Sequence, residues 1–276
     1  NVERPLIRDP QTPPAADYVV IEYTYGDRLH GERPDYVQHL SQILQETFDR
    51  GGNVIIPSFA VGRTQEMLYI IRDIKMRGLV HGHDGFPVYV DSPLATKATK
   101  VFLKYAHLLH TPEIASIPIH DPEGGVIFTQ TAQDSMKLNV MRGPAIILSA
   151  SGMCNAGRVR HHLKHNLWRE GVSIVFVGYQ AIGTPGRKLV DGAKSLRLFG
   201  EDVTVAARIF TIGGFSAHAG QSQLLDWIGG MARPELKICL VHGEPKAQQI
   251  LAGLIKERFG ITAFIPEYLE EAVIEG

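Results

Sequence analysis

The stretch NVIIPSFAVGRTQEMLYII, residues 53–71, decides the fold. It begins with an apolar, β-branched run, continues through a loop of small residues, and ends in a segment of helical periodicity. The same order recurs from Pro87, Ala145 and Ser173. Strands that alternate with helices in this way predict a parallel sheet with helices on both of its faces.

The four loops that follow these strands are expected to gather at one edge of the sheet, because ligands of such folds bind outside the strand carboxyl ends. Hydroxyls, glycines and arginines at helix starts suit a phosphate group. Helix capping is the competing explanation, since Ser and Thr at these positions are good N-caps. The candidate phosphate-binding residues are Ser58, Arg63, Ser151, Gly152, Thr184 and Arg187.

Composition narrows the class of protein. The chain has 276 residues, 44% of them hydrophobic and 21% charged, with a net charge of −1. These values are typical of a globular protein and argue against a histone-like nucleic-acid binder, while a local basic groove stays possible. Only two cysteines, Cys154 and Cys239, argue against a disulfide scaffold and favour a reducing compartment. Neither a membrane-spanning run nor a signal peptide is visible, so we expect a cytoplasmic protein without a membrane partner.

Residues outside the αβ block predict a second domain into which the block is inserted. The strand Tyr18–Glu22 precedes the block. After it we expect strands over 203–212 and Lys237–Val241, a helix over 221–231 between them, a helix over 245–259 and a strand over 262–265. The predicted division is therefore 1–35, 36–205 and 206–276, with the first and last segments forming one domain.

Two histidines, His218 and His242, each follow an apolar run that is typical of a strand. They lie 24 residues apart, too far for a local metal motif, although they can converge in space. Glu22 ends the strand VVIE, and a carboxylate at a strand end can orient an imidazole for acid catalysis. A surface ion pair between Glu22 and Arg28 is the competing interpretation.

A third group of histidines lies in RVRHHLKH, residues 158–165. His161 and His165 are one helical turn apart, a spacing that can hold zinc. The neighbouring arginines and lysine would repel a cation, so a basic helix face toward a polyanion or solvent is favoured.

Taken together, several stretches resemble the β-CASP group of metallo-β-lactamase-fold nucleases, which includes ribonuclease J, RNA-processing exonucleases and the cleavage and polyadenylation endonuclease subunit. They are DYVVIEYTYGDRLH, GGNVIIPSFAVGRTQEML, YVDSPLATKAT, ILSASGMCNAGRVRHHLKH, VGYQAIGTPGRKLVDGAK, GGFSAHAGQ and LVHGE. The resemblance implies a parallel-sheet β-CASP domain inserted in a metallo-β-lactamase αββα domain.

The resemblance also implies a role for each residue that matches a family motif. Glu22 matches motif A and would orient His218 of motif B, the general acid that protonates the leaving ribose oxygen. His242 matches motif C and would ligate one of two zinc ions, and a histidine there accompanies RNA substrates. RNA phosphates would contact the sheet-edge loops and Ser216 of the FSAH stretch. Tyr23 departs from the pattern, because the family usually has serine there.

The family's other metal ligands, among them an HxHxDH motif, precede motif A. Only 21 residues precede Glu22 in this chain, and none is histidine. We therefore expect the C-terminal part of such an enzyme, which by itself binds no stoichiometric zinc and cleaves no RNA. Exposed sheet edges and apolar surface of the flanks favour a homodimer.

Two other functions compete with the zinc-dependent ribonuclease. A non-catalytic RNA-binding or scaffolding relative is disfavoured by the intact Glu22, His218 and His242 set. A metallohydrolase that acts on a thioester or lactam is disfavoured by the inserted block, which such enzymes lack.

Overall fold

The computed structural model describes residues 6–11, 13–29, 35–110, 125–214 and 216–271. Among them, residues 6–7 and 35–214 belong to a larger compact unit, and residues 8–29 and 216–271 to a smaller one. The elements along the chain are β1 (Tyr18–Glu22), α1 (Tyr36–Asp49), β2 (Val54–Pro57), α2 (Arg63–Met76), β3 (Val88–Asp91), α3 (Pro93–Lys104), a 3₁₀ turn (Ala106–Leu108), β4 (Val126–Phe128), α4 (Ala132–Val140), β5 (Ile146–Ser149), α5 (Val159–Asn166), β6 (Ser173–Phe176), α6 (Pro185–Val190), β7 (Ser195–Leu198), β8 (Glu201–Thr204), β9 (Arg208–Thr211), α7 (Gln221–Gly229), β10 (Lys237–Val241) and α8 (Pro245–Phe259).

The larger unit is built on a six-stranded parallel sheet in the order β4-β3-β5-β2-β6-β9. All residues of the central strands β2, β5 and β6 are buried, as expected for a sheet covered on both faces. The predicted parallel αβ architecture is confirmed.

Each face of this sheet has its own hydrophobic core, because successive side chains of a strand point to opposite faces. Val54 and Ile56 of β2 belong to the core that α1, α2 and α3 cover. Ile55, between them, belongs to the core that α4, α5, α6 and the β7–β8 hairpin cover. The helices therefore lie on both faces, as the sequence predicts.

The strand predicted over 203–212 is wrong as a single element. β8 pairs antiparallel with β7, whereas β9 pairs parallel with β6. Between them the backbone N–H groups of Ala206 and Ala207 both donate to the Leu167 carbonyl oxygen at 2.8 Å. This anchor on the end of α5 turns the chain out of the hairpin and into the large sheet.

In the smaller unit β1 and β10 form a parallel pair, with Tyr18 opposite Lys237 and Glu22 opposite Val241. Helices α7 and α8 pack with this pair around a core that includes Ile21, Leu240 and Leu251. The predicted strand over 262–265 is present only as a bridge between Phe264 and Cys239. In the part of the chain that the structure describes, no helix is long and apolar enough to cross a membrane.

Candidate active site

Glu22, His218 and His242 meet in the smaller unit. Glu22 is the last residue of β1 and His242 directly follows β10, so the parallel pairing brings both to the same edge. His218 lies just before α7, whose N-cap Gly220 forms a bridge with Tyr25. The strand pairing and the bridge thus bring together three residues that are far apart in the sequence.

The carboxylate of Glu22 holds the imidazole of His218. Glu22 Oε2 lies 3.2 Å from His218 Nδ1. The same carboxylate accepts the backbone N–H groups of Thr24 at 2.7 Å and Ala219 at 3.2 Å. Arg28, the competing partner considered from the sequence, pairs with the neighbouring Asp27 at 2.7 Å. Glu22 therefore lies in a network that fixes its orientation toward the histidine.

Electrostatics keep this carboxylate charged. Burial raises the pKa of Glu22, but hydrogen bonds from His218 and Thr24 outweigh burial and lower the pKa to about 2. At neutral pH the group is an anion that favours Nδ1–H of the imidazole.

The ring of His242 stacks on that of His218, with 5.3 Å between centroids and 26° between planes. The backbone of His242 is in the left-handed region, with φ of 60°. Its carbonyl oxygen accepts the N–H of Tyr23 at 3.1 Å and the hydroxyl of Thr24 at 3.4 Å. The sequence gives no prediction for Thr24, whose only signal is its position two residues after Glu22 of motif A.

Tyr23, the departure from the family pattern, is buried in the core of the smaller unit. Burial raises the pKa of its phenol. A Cβ added at Gly243 would lie 2.2 Å from Tyr23 Cδ2, so the aromatic ring occupies the space beside the backbone that follows His242.

Zinc does not fit the described residues alone. A protein zinc site takes three or four protein ligands. Among residues 6–11, 13–29, 35–110, 125–214 and 216–271, no group of three or more His, Cys, Asp or Glu side chains could hold a metal ion. Glu22 and His218 are engaged with each other, which leaves His242 as a single candidate ligand.

Of the candidate phosphate ligands in the larger unit, Ser58 and Arg63 are buried. Ser58 Oγ lies 3.0 Å from Thr64 Oγ1, and the Arg63 guanidinium is ion-paired with buried Glu66. Both side chains contact neighbouring protein groups in the structure.

Thr184 is the N-cap of α6, where its hydroxyl accepts the backbone N–H of Arg187 at 3.1 Å. The Arg187 side chain pairs with Asp191 on the surface at 2.8 Å. These contacts agree with the capping interpretation, which does not prevent a ligand from binding at the same helix start.

The loop after β5 holds Ser151 and Gly152. Ser151 Oγ accepts the N–H of Ala156 at 3.3 Å and so closes the loop on itself. Gly152 lies under the half-exposed ring of Phe59, where an added Cβ would be 3.0 Å from Phe59 Cδ2. Ser216 belongs to the smaller unit, where its hydroxyl accepts the N–H of His218 at 3.1 Å.

A second ionisable cluster, which local sequence patterns do not indicate, is centred on Asp91 at the end of β3. Its fully buried carboxylate contacts His162 Nε2 at 2.6 Å and Arg158 Nη1 at 2.8 Å. His161 and His165, the pair considered for zinc, are exposed instead. The acidic partner of this helix thus comes from a distant strand and binds the histidine between the two.

Comparison with known proteins gives two family models. The Beta-Casp domain matches residues 64–189, and the Zn-dependent metallo-hydrolase RNA specificity domain matches residues 202–266.

Three curated proteins are similar over more than nine tenths of the chain. Ribonuclease TTHA0252 of Thermus thermophilus is 37% identical over 94% of the chain and 58% of its own length. The RNase J-like protein of Methanocaldococcus jannaschii is 34% identical over 91% and 57%. Transcription termination factor FttA of the same organism is 30% identical over 93% and 42%. The chain thus spans less than two thirds of the length of these relatives.

Proposed function

Because the chain belongs to the β-CASP metallo-β-lactamase ribonuclease family, we propose that its protein hydrolyses phosphodiester bonds of RNA in a zinc-dependent reaction. The observation that carries this proposal is the Glu22–His218 pair at 3.2 Å, beside the stacked ring of His242. A carboxylate that holds one nitrogen of an imidazole orients the ring for proton transfer through the other nitrogen.

In the proposed step, the bond between phosphorus and the leaving ribose oxygen breaks as an oxygen from water binds to phosphorus. Nε2 of His218 gives its proton to the ribose oxygen, and Glu22 stabilises the imidazolium before transfer. The proton released by the attacking water returns to the imidazole through solvent. General acid catalysis of this kind contributes about 100- to 10,000-fold.

We propose that the natural protein binds two zinc ions, with His242 as one ligand. The described residues do not complete such a site. The chain by itself is expected to bind no stoichiometric zinc and to cleave no RNA. Elemental analysis after dialysis against zinc, followed by an RNA cleavage assay, measures both. One zinc ion retained per chain would contradict this expectation.

RNA phosphates are proposed to contact the carboxyl edge of the six-stranded sheet. Ser151, Gly152 and Thr184 lie in the loops that follow β5 and β6 at that edge, and Arg187 lies in the first turn of α6, which supports their assignment. The assignment of Ser58 and Arg63 has weaker support, because their side chains already contact other protein groups. Ser216, next to the proposed acid, completes the proposed set.

The test is a cleavage assay in the natural protein that carries this sequence, with 5′-phosphorylated and 5′-hydroxyl RNA. His218→Ala should lower kcat by about 100- to 10,000-fold. His81→Ala, at an exposed histidine outside the proposed sites, is the matched control and should leave kcat unchanged. Full activity of His218→Ala would refute the acid assignment. RNA binding without zinc-dependent cleavage in the unsubstituted protein would favour the non-catalytic scaffolding alternative.

We also propose that the protein is a homodimer and that it is located in the cytoplasm. A homodimer is supported by β1, which has a strand partner on one side only among the described residues and exposes Val20. Light scattering measures the mass of the protein in solution and so tests the homodimer.

A cytoplasmic location is supported by Cys154 and Cys239, which are both free thiols. The division into 1–35, 36–205 and 206–276 likewise remains a prediction.

A further inference from the structure

The hydroxyl of Thr24 lies at the centre of the candidate active site. Thr24 Oγ1 is 3.3 Å from His218 Nδ1 and 3.4 Å from the carbonyl oxygen of His242. Its backbone N–H donates to Glu22 Oε2 at 2.7 Å. One threonine therefore contacts all three residues that match the family's motifs.

The direction of these hydrogen bonds follows from what each group can do. A carbonyl oxygen only accepts, so the hydroxyl proton of Thr24 points to the His242 carbonyl. The ionised carboxylate of Glu22 also only accepts, so the hydrogen on the facing ring nitrogen of His218 is Nδ1–H. The lone pairs of Thr24 Oγ1 then accept that same Nδ1–H. The donor and acceptor roles are consistent around the whole network.

This network joins the imidazole to the backbone of the loop after β10. The His242 carbonyl is aimed into the site by a left-handed backbone, which residues other than glycine rarely adopt. Tyr23 N–H and Thr24 Oγ1 hold that carbonyl from the β1 side. The angle at which His218 presents its second nitrogen thus depends on the loop that carries His242.

We propose that Thr24 is a positioning residue: its hydroxyl accepts Nδ1–H of His218, donates to the His242 carbonyl, and so fixes where His218 delivers a proton. This rests on the proposed function, in which His218 protonates the leaving ribose oxygen. In this proposal Thr24 acts through His218 and takes no direct part in the chemical step. A small displacement of a catalytic group costs up to about 100-fold in rate.

The test compares Thr24→Val, which keeps the shape and removes the hydroxyl, with Thr24→Ser, which keeps the hydroxyl. In the natural protein, with an all-oxygen RNA, Thr24→Val should lower kcat by about 10- to 100-fold and leave KM within about twofold. Thr24→Ser should retain kcat within about threefold. Thermal unfolding of both variants should match the unsubstituted protein and so exclude a folding defect.

The discriminating measurement uses an RNA in which sulfur replaces the leaving ribose oxygen. A thiolate leaves without a proton, so a residue that acts through the general acid loses its effect on this substrate. Thr24→Val should then cleave within about twofold of the unsubstituted protein. Equal slowing of both substrates by Thr24→Val would overturn the inference, as would unchanged kcat on the all-oxygen RNA.

His218→Ala separates this inference from the proposed function beneath it. If His218→Ala slows only the all-oxygen substrate and Thr24→Val slows neither, the acid assignment stands and the role of Thr24 is wrong. If His218→Ala slows both substrates equally, the proposed acid itself is wrong.

Discussion

Replacing Asp91 with asparagine removes one charge from the interior of the larger unit. The Asp91 carboxylate is completely buried. One oxygen accepts His162 Nε2 and Ser135 Oγ, each at 2.6 Å, and the other accepts Thr129 Oγ1 and Arg158 Nη1, the latter at 2.8 Å. In Asp91→Asn an amide NH₂ replaces one of these oxygens. Turned toward Arg158, the amide faces a group that can only donate; turned toward His162 and Ser135, it requires both of them to become acceptors, so either orientation disrupts the native contacts.

The loss of unfolding free energy in Asp91→Asn follows from these contacts. A buried donor left unsatisfied costs about 1 to 3 kcal/mol, and removing one partner of a buried ion pair costs about 3 to 5 kcal/mol. Because these figures describe the same loss, we expect about 3 to 5 kcal/mol of unfolding free energy to disappear. For a unit of this size the melting temperature should fall by about 6 to 20 °C.

The pH dependence has a defined sign. Burial raises the pKa of Asp91, but hydrogen bonds from His162, Ser135 and Thr129 outweigh it and hold the pKa well below its usual range. A carboxylate whose pKa is lower in the folded state stabilises the protein above its unfolded pKa of about 4 and loses that contribution as the pH falls. The stability gap to Asp91→Asn should therefore narrow as the pH falls below about 4.

Urea unfolding can be followed by tryptophan fluorescence in a Trp227→Phe background. Trp168 is then the only tryptophan of the chain, and it lies in the larger unit. The matched control is Asp191→Asn, which removes an exposed ion pair with Arg187 and should cost less than about 1 kcal/mol. A loss below about 1 kcal/mol for Asp91→Asn, or a gap unchanged between pH 6 and 3, would refute the reasoning.

Three further predictions concern single contacts. Gly243→Ala places a Cβ 2.2 Å from Tyr23 Cδ2 and should destabilise the smaller unit by about 1 to 3 kcal/mol in urea unfolding; an unchanged midpoint would argue against this packing. Thr184→Ala removes the N-cap of α6 and should cost about 1 kcal/mol. Unchanged stability with weakened RNA binding would instead favour the phosphate-binding interpretation. Burial raises the pKa of the Cys154 thiol to about 12, so iodoacetamide at pH 8 should label half-buried Cys239 first. Equal labelling of both thiols in the native protein would contradict this order.

The parts of the fold that depend on local pattern could be predicted from the sequence. The central strands are buried on both faces, so they are continuous apolar runs in the sequence. Helix α8 was predicted over 245–259 and extends from Pro245 to Phe259, because proline begins it and left-handed Gly260 ends it. The break between β8 and β9 could not be predicted, since it depends on the distant Leu167 carbonyl.

The same division holds for the candidate site. Motif resemblance located Glu22, His218 and His242, although their roles remain proposals. The contact of Thr24 with His218 spans 194 residues, and that of Asp91 with His162 spans 71. Neither pair has a local spacing that periodicity could reveal. Such contacts are decided by which strands become neighbours in the folded chain.

The pairing of β1 with β10 has a consequence for how the chain folds. Tyr18 pairs with Lys237, so the smaller unit closes a loop of more than 200 residues. For a flexible chain of that length the closure entropy is about 5 kcal/mol, and it falls once the intervening residues have ordered. We expect the larger unit to fold first and the β1–β10 ladder to form late. His218, the proposed general acid, and the loop of His242 would then be assembled in the last step, so the proposed RNA cleavage by the natural protein would report on complete folding.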